Sequence, residues 1–109
     1  MKENKEILEL LLSLFLPDYD WLGFMESKNN PYTFHHIVPV RDGGKTTKKN
    51  GAILTKNGHK LYNYIEQDYP NIAEELTELF ITLNETNSPA TEEYYEEVNK
   101  VLEKVKFKK

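Results

Sequence analysis

The clearest structural pattern in the chain lies in residues 32–67, which read YTFHHIVPVRDGGKTTKKNGAILTKNGHKLYNYIEQ. Residues 32–38 are rich in aromatic and β-branched side chains and are therefore typical of a strand. A polar loop with a Gly-Gly turn separates them from a second short strand over residues 50–55. If the loop folds back, the two strands pair antiparallel. A helix over 58–67, capped by Asn57, is expected to follow them.

An amphipathic pattern before this segment predicts an N-terminal helix. Residues 5–16 follow a possible cap at Asn4, carry apolar side chains at helical spacing and end at Pro17. Residues 18–25 are aromatic-rich and irregular, and we expect them to pack over the core.

The segment after residue 67 predicts two more helices. The Tyr69-Pro70 pair breaks the preceding helix, and Asn71 is expected to cap a helix that continues through Asn84. Thr91 opens the last helix. Its far end, where the helix dipole favours cations, collects five lysines: Lys100, Lys104, Lys106, Lys108 and Lys109.

Together these elements predict an α+β protein with a single domain over residues 1–109. Residues 1–31 hold the N-terminal helix and the aromatic-rich segment. Residues 32–67 hold the two-stranded antiparallel hairpin and its helix, and residues 68–109 hold the two C-terminal helices.

The composition is that of an ordinary globular domain, with 39% hydrophobic and 29% charged residues. No apolar run approaches the ~20 residues that span a bilayer, and the mixed charges at the start do not resemble a signal peptide. We therefore expect a cytoplasmic protein without membrane association. The absence of cysteine excludes disulfides, thiolate nucleophiles and cysteine-based zinc sites.

Charge is distributed unevenly along the chain. The net charge is −4, but residues 35–60 carry +5, so the remainder carries −9. The basic residues of this segment are Arg41, Lys45, Lys48, Lys49, Lys56 and Lys60, against Asp42 alone. Such a basic island can attract a polyanion to one site, or it can merely keep a loop solvated.

All three histidines lie in the same segment, and imidazole can act near neutral pH as a proton acceptor or a metal ligand. His59 and Asn63 are four residues apart on the predicted helix and therefore share a face. His35 and His36 are adjacent and would point to opposite faces of a regular strand. For both to serve one site, the strand must end between them, as Pro39 and the following loop favour. These residues are the components of a metal-assisted hydrolytic site.

The order of these residues resembles the HNH nucleases, in which a ββα-metal module cuts nucleic acid. The resemblance covers about a third of the chain, residues 32–67, and includes the order of strand, loop, strand and helix. It rests on His35-His36, Ile37, Pro39, Gly43-Gly44, Asn50, His59 and Asn63.

The resemblance implies a role for each of these side chains. His35, His59 and Asn63 would bind one divalent metal ion, and His36 would be the general base that deprotonates the attacking water. Asn50 would hold the loop backbone and so orient His36. Imidazole-rich ligation suits Zn²⁺, Ni²⁺ or Mn²⁺ better than Mg²⁺, so the identity of the ion stays open among these four.

The implied activity is endonucleolytic hydrolysis of DNA, with products that carry a 5′-phosphate and a 3′-hydroxyl. RNA is not excluded, because phosphate contacts carry no information on the sugar. The basic island would contact the nucleic acid. A small module of this type suggests a phage, mobile-element or defence context, by family association alone.

Three features depart from the family pattern and keep an alternative open. The overall charge is acidic for a nuclease, with −9 outside the basic island. Many relatives carry Cys-x-x-Cys pairs beside the module, and this chain has none. Asn63 is a neutral and weaker ligand that could equally face solvent. The alternative is a non-catalytic protein of the same fold, an inhibitor or accessory subunit, which binds another protein through its acidic helices. A protein partner or a homodimer is compatible with either function.

Overall fold

The computed structural model describes residues 2–106, and its order of elements gives the α+β class that the sequence predicts. Within these residues four helices surround a two-stranded antiparallel sheet. The elements are α1 (Lys2–Phe15), β1 (Tyr32–His36), β2 (Gly51–Thr55), α2 (Lys56–Asp68), α3 (Pro70–Thr86) and α4 (Glu92–Leu102), with short 3₁₀ turns at Val40–Asp42 and Lys48–Asn50.

The hairpin pairs antiparallel, as predicted, with Tyr32 opposite Thr55 and His36 opposite Gly51. Strand β1 is shorter than expected, because the chain turns away after His36. The amide of Ile37 still donates a hydrogen bond to the carbonyl of Asn50 (2.9 Å). The expectation that the strand ends between the two adjacent histidines is wrong. Both histidines belong to β1, because β2 supplies partners as far as Gly51.

Three of the predicted helix caps are wrong: Asn4 for α1, Asn57 for α2 and Asn71 for α3. Helix α1 already includes Asn4. Helix α2 begins at Lys56 and is capped by Thr55, whose Oγ1 accepts a hydrogen bond from the Gly58 amide (3.1 Å). Asn57 therefore lies inside the first turn of α2, where its amide donates to Asn30 Oδ1 (2.7 Å).

The C-terminal helices agree more closely with the sequence. Helix α3 starts one residue before the expected cap Asn71, because Pro70 takes the first helical position, where its missing N–H is not needed. Thr91 caps α4 as predicted, since its Oγ1 accepts from the Tyr94 amide (3.1 Å). The helix ends at Leu102, so Lys100 alone of the five lysines lies in its last turn. Lys104 and Lys106 follow the helix, and Lys108 and Lys109 lie outside the described residues.

The core forms where α1 and α3 cover the sheet. Every residue of β2 is buried, and the aromatic-rich segment packs over the core as expected. Trp21 lies between Phe15 and Phe80, with ring centroids 5.1 and 6.0 Å away. Between residues 2 and 106 no helix has both the length and the apolar content needed to cross a bilayer.

A buried carboxylate joins the aromatic-rich segment to the β2–α2 junction. Asp20 is fully buried, and its Oδ1 accepts from the amides of Leu22 (2.8 Å) and Phe24 (2.9 Å). Its Oδ2 accepts from the amide and the hydroxyl of Thr55, both at 2.7 Å. A Cβ at Gly58 would overlap this carboxylate, so glycine is needed there. The network sets where α2 starts and so places the residue after Gly58, which is His59.

Candidate functional site

The predicted site residues meet in one cleft between β1, the following loop and α2. The cleft has a volume of about 270 Å³, and His35, His36, His59 and Asn63 all line it. The fold therefore brings together the four side chains to which the sequence analysis assigns metal binding and proton transfer. Their chemical roles remain predictions.

His35 and His59 are in direct contact within this cleft. His35 Nδ1 and His59 Nε2 are 3.2 Å apart, and His35 is only 7% exposed. The His35 ring also contacts the rings of Tyr62 and Phe80, with centroids at 4.6 and 5.6 Å in edge-to-face geometry.

Thr33 determines the tautomer of His59. Its hydroxyl donates its single proton to the carbonyl of Leu54 (2.6 Å), which is an acceptor only. The same oxygen is 2.6 Å from His59 Nδ1, so it must accept there, and His59 Nδ1 carries the proton. Because a neutral imidazole has one N–H, His59 Nε2 presents a lone pair towards His35.

The contact between His35 and His59 depends on which nitrogen of His35 carries the proton, Nδ1 or Nε2. His35 Nε2 is buried and has no hydrogen-bond partner in the part of the chain that the structure describes. If His35 Nδ1 carries the proton, Nε2 is a buried acceptor without a donor. If Nε2 carries it, that N–H has no hydrogen-bond acceptor among the described residues, and two lone pairs converge across 3.2 Å. A cation between them would satisfy both lone pairs.

The spacing of the pair fits a metal ion. Two nitrogen ligands at about 2.0–2.1 Å from one ion, separated by the observed 3.2 Å, subtend an angle of about 100°, near the tetrahedral value. Burial, then the neighbouring His59 and His36, lowers the pKa of His35 to about 3. Burial also lowers the pKa of His59, against the opposing charge of Asp20. Both rings are therefore neutral at pH 7, which is the form that binds metals.

The donor set beyond this pair is sparse. Across residues 4–106 no group of three or more His, Cys, Asp or Glu side chains is placed to hold an ion. Asn63 is exposed and lies one helical turn after His59, and no hydrogen bond holds its amide in the described structure. Two imidazoles with one amide oxygen would leave positions for water or substrate, as hydrolytic metal sites require.

His36 leaves β1 on the face opposite to His35 but lines the same cleft. Its ring packs edge-to-face on Phe34, with centroids 4.7 Å apart. Its Nε2 is 2.9 Å from the hydroxyl of Thr46, and among the described residues no group bonds its Nδ1. The ring is therefore held from one side, and one nitrogen remains available for a proton.

Asn50 holds the loop that follows His36, as the sequence analysis expects. Its Oδ1 accepts from the Val38 amide (2.7 Å), and its Nδ2 donates to the carbonyls of Val38 (3.0 Å) and Lys45 (2.9 Å). The predicted Gly-Gly turn is present, with Gly43 at φ +90°. Gly44 has a further role, because a Cβ there would overlap the Val38 carbonyl and come within 2.9 Å of Asn50 Nδ2.

The six basic residues predicted to contact nucleic acid fall into three groups. Lys48 is engaged within the fold, since its Nζ donates to the carbonyl of Asn84 (2.7 Å) and lies over the Phe15 ring. Burial is the main cause that lowers the Lys48 pKa. Arg41 lines the cleft and bonds to Glu66 (3.1 Å). The remaining side chains are exposed at the surface: Lys45, Lys49, Lys56 and Lys60.

Sequence reasoning missed several residues that shape the site. Thr33 lies two positions before His35 on the same face of β1, and this period-two spacing is a signal that could have identified it. Tyr62 and Glu66 lie three and seven residues after His59, on its side of the helix. Asp20 gave no comparable signal, because its partners are distant in sequence.

Comparisons with known proteins do not identify the chain, since no family model, no curated protein and no solved structure matches it. The resemblance to the HNH nucleases therefore stays a prediction from the sequence.

Proposed function

We propose that the chain is a metal-dependent endonuclease of the HNH type that hydrolyses phosphodiester bonds in DNA. The observation that carries the proposal is the convergence of His35 Nδ1 and His59 Nε2 at 3.2 Å, in a cleft that His36 also lines. The order of strand, loop, strand and helix, with Asn50 bonded to the loop backbone, supports the same family.

In this proposal His35, His59 and Asn63 hold one divalent ion, which could be Zn²⁺, Ni²⁺, Mn²⁺ or Mg²⁺. The bound ion would stabilise the charge that develops on the phosphate and on the leaving oxygen. His59 contributes Nε2, because Thr33 keeps the proton on Nδ1. Asn63 contributes its amide oxygen.

His36 acts as the general base through Nδ1. This role requires the tautomer in which Nε2–H donates to Thr46 Oγ1, 2.9 Å away, so that the lone pair of the neutral ring is at Nδ1. Nδ1 takes the proton from the attacking water, and Nε2–H continues to donate to Thr46 in the resulting imidazolium. Asn50 is a positioning residue that keeps the Val38 backbone in place behind His36. Packing of His36 on Phe34 restricts the ring further.

Nucleic acid is the proposed substrate because the chain segment that builds the cleft carries exposed basic side chains. Lys45 and Lys49 lie in or beside the loop after β1, and Lys56 and Lys60 lie on the first turns of α2. These residues would contact the phosphate backbone without reading sequence. DNA is preferred to RNA on the family resemblance, and the assay below is run on both.

The test is a plasmid-nicking assay with Mn²⁺ or Mg²⁺, repeated with EDTA and with a structured RNA. The wild type should cleave, and EDTA should stop cleavage. His36→Ala should lower the rate by at least ~10²-fold while metal binding persists, because only the base is removed. His59→Ala should abolish metal binding itself. Cleavage by His36→Ala at the wild-type rate would remove the general-base assignment.

A second candidate function is a non-catalytic protein with the same fold. The observation that favours it is that only two strong metal-binding side chains converge among the described residues. Helix α4 also presents an exposed acidic face, made of Glu92, Glu93, Glu96 and Glu97, that could bind another protein. Titration with Mn²⁺ and Zn²⁺ by calorimetry separates the two functions, since only the nuclease requires an ion at His35 and His59.

A further inference from the structure

Arg41 and Glu66 form an ion pair at the edge of the histidine cleft. Arg41 lies in the short 3₁₀ turn after β1, and its Nη2 is 3.1 Å from Oε2 of Glu66 on α2. Both side chains line the histidine cleft, and both also line a larger groove of about 570 Å³ that extends towards α3. The pair therefore lies where the two depressions meet.

The two depressions differ in charge, and Arg41 is their shared cation. Among the described residues it is the one Lys or Arg that lines either of them. The larger groove is otherwise acidic, with Asp42, Glu74, Glu75 and Glu78 in its lining. A phosphate would be repelled from that groove. In the histidine cleft it would find Arg41 as the permanent positive charge.

The ion pair has the properties of a contact that can exchange partners. The side chains of Arg41 and Glu66 are 68% and 36% exposed, and such exposed pairs contribute little to stability. Glu66 engages one nitrogen of the guanidinium through a single hydrogen bond. A phosphate can accept two parallel hydrogen bonds from the same group, which is the stronger arrangement.

We propose that Arg41 is the phosphate-binding residue of the cleft, that Glu66 occupies it in the free protein, and that a backbone phosphate of the nucleic acid displaces Glu66. This inference rests on the proposed function and names the group that receives the substrate. Glu66 thereby acts as an internal competitor, which lowers the affinity for nucleic acid that lacks a well-placed phosphate.

The experiment is a double-mutant cycle on DNA binding, measured by fluorescence anisotropy of a labelled duplex in EDTA at several salt concentrations. Arg41→Gln should weaken binding roughly five- to tenfold and reduce the salt slope by about 0.9, the value for one phosphate contact. Glu66→Gln should tighten binding about threefold in the wild-type background and leave it unchanged in the Arg41→Gln background.

Glu74→Gln is the matched control, because it removes a carboxylate from the neighbouring groove without touching the pair. If a substitution acts only by removing a negative charge, it should raise the affinity for DNA by the same factor in the wild-type and Arg41→Gln backgrounds. We expect this behaviour of Glu74→Gln. Equal effects of Glu66→Gln in both backgrounds would overturn the proposal, and so would unchanged affinity in Arg41→Gln.

The outcome also separates this inference from the nuclease proposal. A non-additive cycle without cleavage in Mn²⁺ would support the Arg41–Glu66 exchange and count against catalysis. Metal-dependent cleavage with an additive cycle would support catalysis and overturn the exchange. No detectable binding of wild type to duplex DNA would count against both.

Discussion

Replacing Thr33 with valine should weaken metal binding at the histidine pair while the protein stays folded. The substitution is nearly isosteric and keeps a β-branched residue in β1. It removes the hydroxyl that donates to the Leu54 carbonyl and accepts from His59 Nδ1, both at 2.6 Å. His59 then loses the group that keeps its Nε2 lone pair aimed at His35.

The magnitude follows from the two lost hydrogen bonds. Each half-buried group left without a partner costs about 1–3 kcal/mol, and water at this partly exposed position reduces the loss, so we expect about 1–2 kcal/mol in unfolding free energy. Removing the hydrogen-bond partner of a metal-binding histidine typically lowers metal affinity about 10–100-fold. In free energy this loss of affinity is about 1.4–2.7 kcal/mol, so it should be at least as large as the loss of stability.

Three measurements check this prediction. Calorimetric titration with Zn²⁺ or Mn²⁺ gives the metal affinity, and urea denaturation gives the unfolding free energy. Imidazole ¹⁵N shifts of the metal-free protein report the tautomer, which should be Nδ1-protonated at His59 in the wild type. Thr33→Ser is the matched control, because it keeps the hydroxyl and should retain most of the affinity.

Two results would refute the reasoning. One is a Thr33→Val protein that binds metal as tightly as the wild type. The other is a wild-type His59 that carries its proton on Nε2, since the lone pair would then face Thr33 instead of His35.

Three further predictions concern stability. Asp20→Ala leaves four donors on the aromatic-rich segment and on Thr55 without an acceptor, so it should cost about 3–4 kcal/mol by urea denaturation. Gly44→Ala should lower the unfolding free energy by about 1–3 kcal/mol, because the new Cβ overlaps the Val38 carbonyl. Thermal melts should show a larger loss of stability for Gly44→Ala than for Gly43→Ala, since Gly43 has open space around it and only a positive φ. The pKa of His35 is about 3 in the folded protein and 6.5 in the unfolded chain, so acid favours the unfolded chain. The unfolding free energy should therefore fall as the pH drops from 6.5 towards 3. In EDTA we expect unfolding free energy at pH 5 to be about 2 kcal/mol lower than at pH 7.5, with a shallower pH dependence in His35→Gln.

Local sequence was a good guide to the secondary structure and a poorer one to its boundaries. The hairpin and the helices after it were predictable because strand and helix periodicities are short-range properties. The start of α2 was not, because Thr55 both ends β2 and caps the helix, so the true cap, two residues before Asn57, gave no separate signal. From local sequence Asn57 was the better candidate cap, but it lies in the first turn of α2, and its backbone amide donates a hydrogen bond to Asn30.

The candidate site shows the same division. The histidines, Asn50 and Asn63 were selected by residue type and spacing. The fold then brings the histidines and Asn63 into one cleft, while Asn50 bonds to the loop backbone beside it. The roles of the lysines were less predictable. Lys48 resembles its neighbour Lys49 in sequence, yet it is half-buried and its ammonium group bonds to Asn84, 36 positions away.

Residue chemistry and spacing alone were sufficient for the α+β class, the antiparallel hairpin and the four polar side chains that line the histidine cleft, because each was selected from neighbours within a few positions. The tertiary structure decided which nitrogen atoms face each other. The proton on His59 is assigned by Thr33, 26 positions away, and the start of its helix by Asp20, 35 positions from Thr55. Hydrogen bonds of this kind depend on distances between segments that only the packed core brings together, so no local pattern encodes them.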